Sequence, residues 1–142
     1  MREIKFRAKR VDIRDWMHGY LREVFGYKKR VFMISPAQTF EEDGITDVHE
    51  DYVQSDTIGQ FTGLTYKNGT PIYEGDIVLQ QGYHGKKIPM VVRFECGAFI
   101  VGYHDGSSTK RRPMLLNSKC EVIGNIFDSP NLLEKIYERK NN

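Results

Sequence analysis

Four histidines (His18, His49, His84 and His104), two cysteines (Cys96 and Cys120) and the carboxylate pair Glu74 and Asp76 are the side chains of this chain best suited to chemistry. Zinc peptidases place two histidines four apart on a helix with a glutamate between them, and no pair here has that spacing. His84 and His104 lie in polar stretches and could share a ligand with Asp105 only if two loops met. Exposed loop histidines are the simpler reading. A serine hydrolase needs the Gly-x-Ser-x-Gly elbow, which is absent; Ser107 and Ser108 sit in a polar run. Cys96 lies between Glu95 and Gly97, with no neighbouring base to make the thiolate that nucleophilic attack requires. Both cysteines fall in apolar, strand-like surroundings outside any CxxC and read as small buried hydrophobes. No catalytic constellation, metal site or cofactor site emerges.

Glu74 and Asp76 belong to a glycine-rich stretch, GQFTGLTYKNGTPIYEGDIV, over residues 59–78. A phosphate-binding loop requires Gly-x-x-x-x-Gly-Lys-Ser/Thr between a strand and a helix. Here there is no Gly-Lys-Ser/Thr, and the flanks read as strands. The alternative is turn chemistry. Asn68-Gly69 is the strongest hairpin signal in the chain, read as a tight type I′ turn. Glu74-Gly75-Asp76 reads as a second reversal that delivers Ile77-Val78-Leu79 as a strand. The acidic run Glu41-Glu42-Asp43-Gly44 lacks the alternate-position ligand spacing of a calcium loop and reads as a solvated loop over Ser35–Asp47.

The elements that hold these residues are mostly strands. EIKFRAK alternates Ile4, Phe6 and Ala8 with Lys5, Arg7 and Lys9, as a half-buried strand does. Asp15–Phe25 alternates Met17, Leu21 and Phe25 with Trp16, His18, Tyr20, Arg22 and Val24, and Arg30–Ile34 returns as its hairpin partner. His49–Val53 is a short strand, and Ser55–Ile58 starts one helical turn. Further strands cover Met90–Glu95, Ala98–Tyr103 and Cys120–Phe127, with a turn at Cys96-Gly97. Ser129 and Pro130 punctuate the start of a terminal helix with Leu132, Leu133, Ile136 and Tyr137 on one face. The expected core is Phe61, Leu64, Ile77, Val92, Phe94, Phe99, Val101, Val122 and Ile126. Strands of this length and spacing indicate a mainly β chain: a small roll or barrel over residues 55–142, preceded by a β-hairpin region over residues 1–54 that packs on it.

Composition agrees. A chain of 142 residues with 39% hydrophobic and 28% charged residues suits a soluble globular protein. No apolar run nears membrane-spanning length, and MREIKFRAKR lacks the core of a signal peptide. The expectation is a cytoplasmic protein without a membrane partner. The net charge of +2 hides blocks: residues 1–30 hold ten Lys/Arg and four Asp/Glu, whereas residues 31–60 hold seven acids and no Lys or Arg. Such blocks pair within one chain or between two copies.

Four segments in order, MREIKFRA, GQFTGL…KNG…IYEGDIV, VRFECGAFIV and EVIGNIFDSPNLL, together resemble the YopX family of phage and prophage proteins. The resemblance runs from Met1 to about Leu133 and is loose over Lys9–Val53. It implies a phage- or prophage-encoded protein in the cytoplasm of a bacterial host, and an SH3-type roll built from the C-terminal part. It implies no biochemical activity and transfers no catalytic residue.

The expected function is therefore a non-catalytic protein-interaction module: a homo-oligomer, with a phage or host protein as a further partner. The second reading is nucleic-acid binding. Lys86, Lys87, Arg93, Lys110, Arg111 and Arg112 would supply the cations, and Tyr83 and Tyr103 the stacking faces that single-strand binders use.

Overall fold

The computed structural model describes residues 1–25, 30–35, 40–41, 44–45, 50–82, 85–102, 114–132 and 134. The strands are β1 (Phe6–Lys9), β2 (Trp16–Phe25), β3 (Arg30–Ser35), β4 (Phe40–Glu41), β5 (Gly44–Ile45), β6 (Asp51–Val53), β7 (Gly59–Tyr66), β8 (Thr70–Tyr73), β9 (Asp76–Gln81), β10 (Lys87–Glu95), β11 (Ala98–Gly102), β12 (Met114–Leu115) and β13 (Glu121–Asn125). The chain is mainly β, and the strand ladders among the described residues are antiparallel. It divides into two compact units, Met1–Phe61 and Thr62–Asn142, with the division inside β7.

In the first unit the strands run in the order β6-β3-β2-β1-β7. The β2–β3 hairpin pairs Phe25 with Arg30 at its tip and Tyr20 with Ser35 at its base. In β1, Ala8 is fully buried with Ile34 and Val53, and Phe6, Met17, Leu21, Phe32 and Ile58 pack around them, but the alternation read in EIKFRAK holds only on that side, because Arg7 on the opposite face is buried too. Ile4, at the frayed end before β1, is exposed. A 3₁₀ turn at Ser55–Thr57 follows β6. The Thr57 hydroxyl accepts the Lys9 N–H at 2.9 Å and donates to the Gln54 carbonyl at 2.7 Å, tying this turn to β1. The segment expected to be a loop between Ser35 and Asp47 contains the short β4–β5 ladder; Glu42 and Asp43 lie outside the described residues.

The basic and acidic blocks meet within this unit. Arg10 reaches Asp51 at 3.2 Å, and Arg22 pairs with Glu50. Both acids come from residues 31–60 and both cations from residues 1–30, so an intermolecular contact is not needed to bring the blocks together.

In the second unit an open five-stranded sheet has the order β12-β11-β10-β9-β13, and β7 and β8 form a hairpin beside one another. No closed barrel forms among the described residues. One face carries the core of Ile72, Val78, Met90, Val92, Val101, Leu116 and Cys120, with Leu64, Tyr66, Ile88, Phe99, Met114 and Val122 against it. The expected core is correct for Phe61, Ile77, Val92 and Val101, and Leu64, Phe99 and Val122 pack at its margin. Phe94 is a correction: it is 48% exposed near the β10–β11 turn, where its ring meets that of Phe99 edge-on at 5.0 Å. Period-2 alternation also fails mid-strand, since Met90, Val91 and Val92 are all buried. Both faces of the sheet are therefore covered there, and such strands read as continuous apolar runs.

Pro89 sits inside β10 without breaking a ladder. It faces Leu79 of β9, while pairing with β11 begins only at Val91. Its missing N–H falls where β10 is locally an edge.

The turns correct one expectation and meet another. Asn68-Gly69 does not form a two-residue type I′ turn. Lys67–Gly69 makes a 3₁₀ turn, and Gly69 alone takes positive φ, +78°. That is the three-residue hairpin loop, in which a helical turn ends in a left-handed residue. The backbone expected of type I′ appears instead at Cys96-Gly97. Glu95 pairs with Ala98, and both intervening residues have positive φ, 51° and 78°. A β-carbon in the left-handed region is strained by about 1–2 kcal/mol. Cys96→Asn, which tolerates that region, is expected to raise the thermal midpoint by a few degrees. An unchanged or lower midpoint would count against strain at this turn.

The strand expected over Cys120–Phe127 ends at Asn125. The Asn125 carboxamide oxygen accepts the N–H groups of Phe127 and Asp128 at 3.0 and 2.9 Å, turning the chain. Asn131, Leu132 and Glu134 are helical; the rest of the expected terminal helix lies outside the described residues.

Candidate functional site

The pairing of β1 with β2 sets the chemistry of the first unit's other sheet face. Arg7 lies opposite His18 and Lys9 opposite Trp16. Side chains directly opposite in an antiparallel pair share a face, so the cations that alternate with the core residues of β1 meet the aromatic side of β2. The Arg7 guanidinium lies 4.7 Å and the Lys9 ammonium 5.3 Å from the Trp16 ring centre. Across the β1–β7 ladder, Lys5 lies 4.5 Å from the Phe61 ring centre. Further along β2, Tyr20 is 54% exposed, and Tyr52 on β6 is 57% exposed. Tyr52 stands opposite Met33, which stands opposite Arg22, so Tyr52 shares the face of Trp16, His18, Tyr20 and Arg22. This face opposes the Ala8–Ile34–Val53 core.

The face is cationic and partly neutralised at its rim, where Lys5 meets Glu3 at 3.2 Å and Arg22 meets Glu50. His18 reports the local field. Burial first, and then the positive charges of Arg7 and Lys5, hold its pKa below the ordinary 6.5. The unfolded chain therefore takes up this proton first as the pH falls. The stabilising contribution is full above about pH 6.5 and is lost as the pH drops toward the lowered folded value. The thermal midpoint of the protein is expected to fall more steeply between pH 7.5 and 5.5 than that of His18→Gln. Parallel midpoint curves would remove His18 from the account.

The cations expected from sequence lie elsewhere. Lys86 and Lys87 are exposed at the start of β10. Arg93 is half-buried on the same strand, with Nε 3.5 Å from Glu95. Lys87 and Arg93 are six positions apart, hence about 20 Å, and do not form one cluster. Tyr83, Tyr103, Lys110, Arg111 and Arg112 lie outside the described residues, as do His49, His84, His104 and Asp105. The sequence reading missed the face on β1 and β2. Its signal was present in the two alternating segments, but their register was not.

Glu74-Gly75-Asp76 is a turn. Asp76 is 2% exposed, and its carboxylate accepts the Tyr73 N–H at 2.9 Å. Gly75 donates to the Val92 carbonyl and accepts from the Ile126 N–H, each at 2.9 Å. Among the described residues no three His, Cys, Asp or Glu side chains group as a metal site, and no helix is long and apolar enough to cross a membrane. Cys96 is an exposed free thiol and Cys120 a buried one. Burial is the main cause that raises the Cys120 pKa, with the Asp76 charge adding to it.

Residues 5–134 match the family described as YopX protein. The crystal structure of protein EF1440 from Enterococcus faecalis is similar, with a TM-score of 0.54 and 24% identity, covering 94% of this chain and 99% of that one. At that identity the likeness concerns the fold alone. No curated protein matches.

Proposed function

Because the chain belongs to the YopX protein family over residues 5–134, we propose that it is a phage- or prophage-encoded accessory protein that works as a non-catalytic interaction module. The origin rests on the family resemblance. The observation that carries the module reading is the aromatic and cationic face of the first unit, where Tyr20 and Tyr52 are more than half exposed. Large aromatics kept in water on a sheet face lose the stabilisation that burial gives, and a contact surface accounts for their position. Self-association belongs to the same proposal. β6 and β12 end their strand orders, and a sheet edge offers backbone groups that a second copy can complete. The expected product is a cytoplasmic homo-oligomer that also engages a phage or host component.

Affinity capture from bacterial extract tests the face, with the protein and Tyr20→Ala/Tyr52→Ala compared at equal thermal midpoint, with and without nuclease. Specific partners are expected with the protein and not with the double variant. Identical capture by both would discard this face. Light scattering at tens of micromolar tests self-association, and a monomer mass alone would reject it.

A further inference from the structure

We propose that the face formed by β1, β2 and β6 binds single-stranded nucleic acid. The inference rests on the module reading and names its partner. Three features favour this ligand over an acidic protein or a lipid surface.

The first is composition. Single-strand binders combine cations that track phosphates with aromatic rings on which bases stack. Here Lys5, Lys9 and Arg22 supply the accessible cations of a sheet face shared with Trp16, Tyr20 and Tyr52, while Arg7 on that face is buried against the Trp16 ring. An acidic peptide needs the cations but not two exposed tyrosines beside a half-buried tryptophan.

The second is spacing. Tyr20 lies on β2 and Tyr52 on β6, with β3 between them. Two strand separations and a two-residue offset in register place them about 12 Å apart. Trp16 lies four residues from Tyr20 on the same strand, about 13 Å away. Rings this far apart do not stack on one another, so Tyr20 and Tyr52 can each take a separate base of an extended strand, with Trp16 beside them carrying Arg7 and Lys9 against its ring. The face is also a sheet rather than a helix or narrow ribbon, which does not suit entry into a duplex groove.

The third is field. Arg7 and Lys5 both act on His18, and both disfavour its protonated form. The anions on the face, Glu3 and Glu50, sit in ion pairs with partly exposed members. Such pairs are weak and screened, so phosphates can displace them.

Trp16 is the single tryptophan of the chain, and its intrinsic fluorescence reads this face directly. The experiment titrates the full chain with an oligo-dT of about 20 nucleotides, long enough for one site of the usual size. Saturable quenching is expected at 50 mM salt. For about three phosphate contacts the affinity should fall roughly twentyfold between 50 and 200 mM salt. Tyr20→Ala/Tyr52→Ala should bind at least about tenfold more weakly, with its thermal midpoint and free-state emission unchanged. Lys9→Gln should reduce the salt slope. Polyglutamate, mixed-sequence duplex DNA and anionic phosphatidylglycerol vesicles should respond more weakly than oligo-dT. Absence of saturable quenching by oligo-dT overturns the proposal. So does an equal response to polyglutamate, duplex or vesicles with no loss in the double variant, which would show general polyanion attraction. If oligo-dT fails while the double variant still loses a nuclease-resistant partner, only the nucleic-acid assignment falls. If both fail, the module reading falls with it.

Discussion

Ile77→Ala is expected to cost about 3 kcal/mol, whereas Phe94→Ala costs about 1 kcal/mol, although phenylalanine is the larger side chain. Ile77 has no exposed surface. It stands in a cross-strand row with Val91 on β10 and Gly124 on β13, and Val91 continues the row to Gly102 on β11. The glycines at its ends are covered: Leu132 and Ser129 crowd the position a Gly124 side chain would take, and the Arg93 guanidinium that of Gly102. Neighbours held on three other strands cannot all collapse into the space vacated by Ile77. The loss is therefore the transfer energy plus most of the cavity term. Phe94 leaves no such cavity. Nearly half its surface is already in water, and its ring approaches that of Phe99 edge-on. Urea denaturation checks the pair. The midpoint should drop clearly for Ile77→Ala and little for Phe94→Ala, with the slope unchanged in both. Equal drops would refute the burial difference.

Alternation alone placed Phe94 with Met90 and Val92, and this shows what was legible. Strand positions and polarity were readable because side chains on a strand change face at every residue. What alternation omits is how far cover extends along the strand. β10 is buried on both faces in its middle and uncovered toward its turn, and no local pattern records that. The turns show the same limit. Asn-Gly has the stronger preference for type I′, yet the loop there has three residues and Cys96-Gly97 takes the two-residue form. The choice belongs to the register of the flanking strands, which overrides the preference of the pair. The candidate site was legible in halves. Lys5, Arg7 and Lys9 were readable as one side of a strand, as were Trp16, His18, Tyr20 and Arg22. That the two sides coincide follows from Arg7 standing opposite His18, a pairing between segments that neither segment states. The basic clusters chosen instead were close in sequence, and nearness in sequence along β10 became distance in space.

Asp76→Ala is expected to cost about 2–3 kcal/mol, and Asp76→Asn much less. The carboxylate is buried and accepts the Tyr73 N–H at 2.9 Å across the turn between β8 and β9. Alanine removes that acceptor and leaves a buried donor to lose both a charge-assisted hydrogen bond and access to water. The surrounding turn cannot easily shift to recover it, because Gly75 is bonded on one side to Val92 of β10 and on the other to Ile126 beyond β13. Asparagine has nearly the same shape and keeps an oxygen at the acceptor position. It removes the charge, which also relieves the upward push of Asp76 on the Cys120 thiol. The two variants therefore separate hydrogen bonding from charge. Denaturation of both, with and without a chelator, is the measurement. A large loss for alanine alone, indifferent to chelator, is the result expected of a turn-forming carboxylate. Equal losses for both variants would assign the role to the charge, and a loss reproduced in the unmodified protein by chelator would assign Asp76 to a metal site.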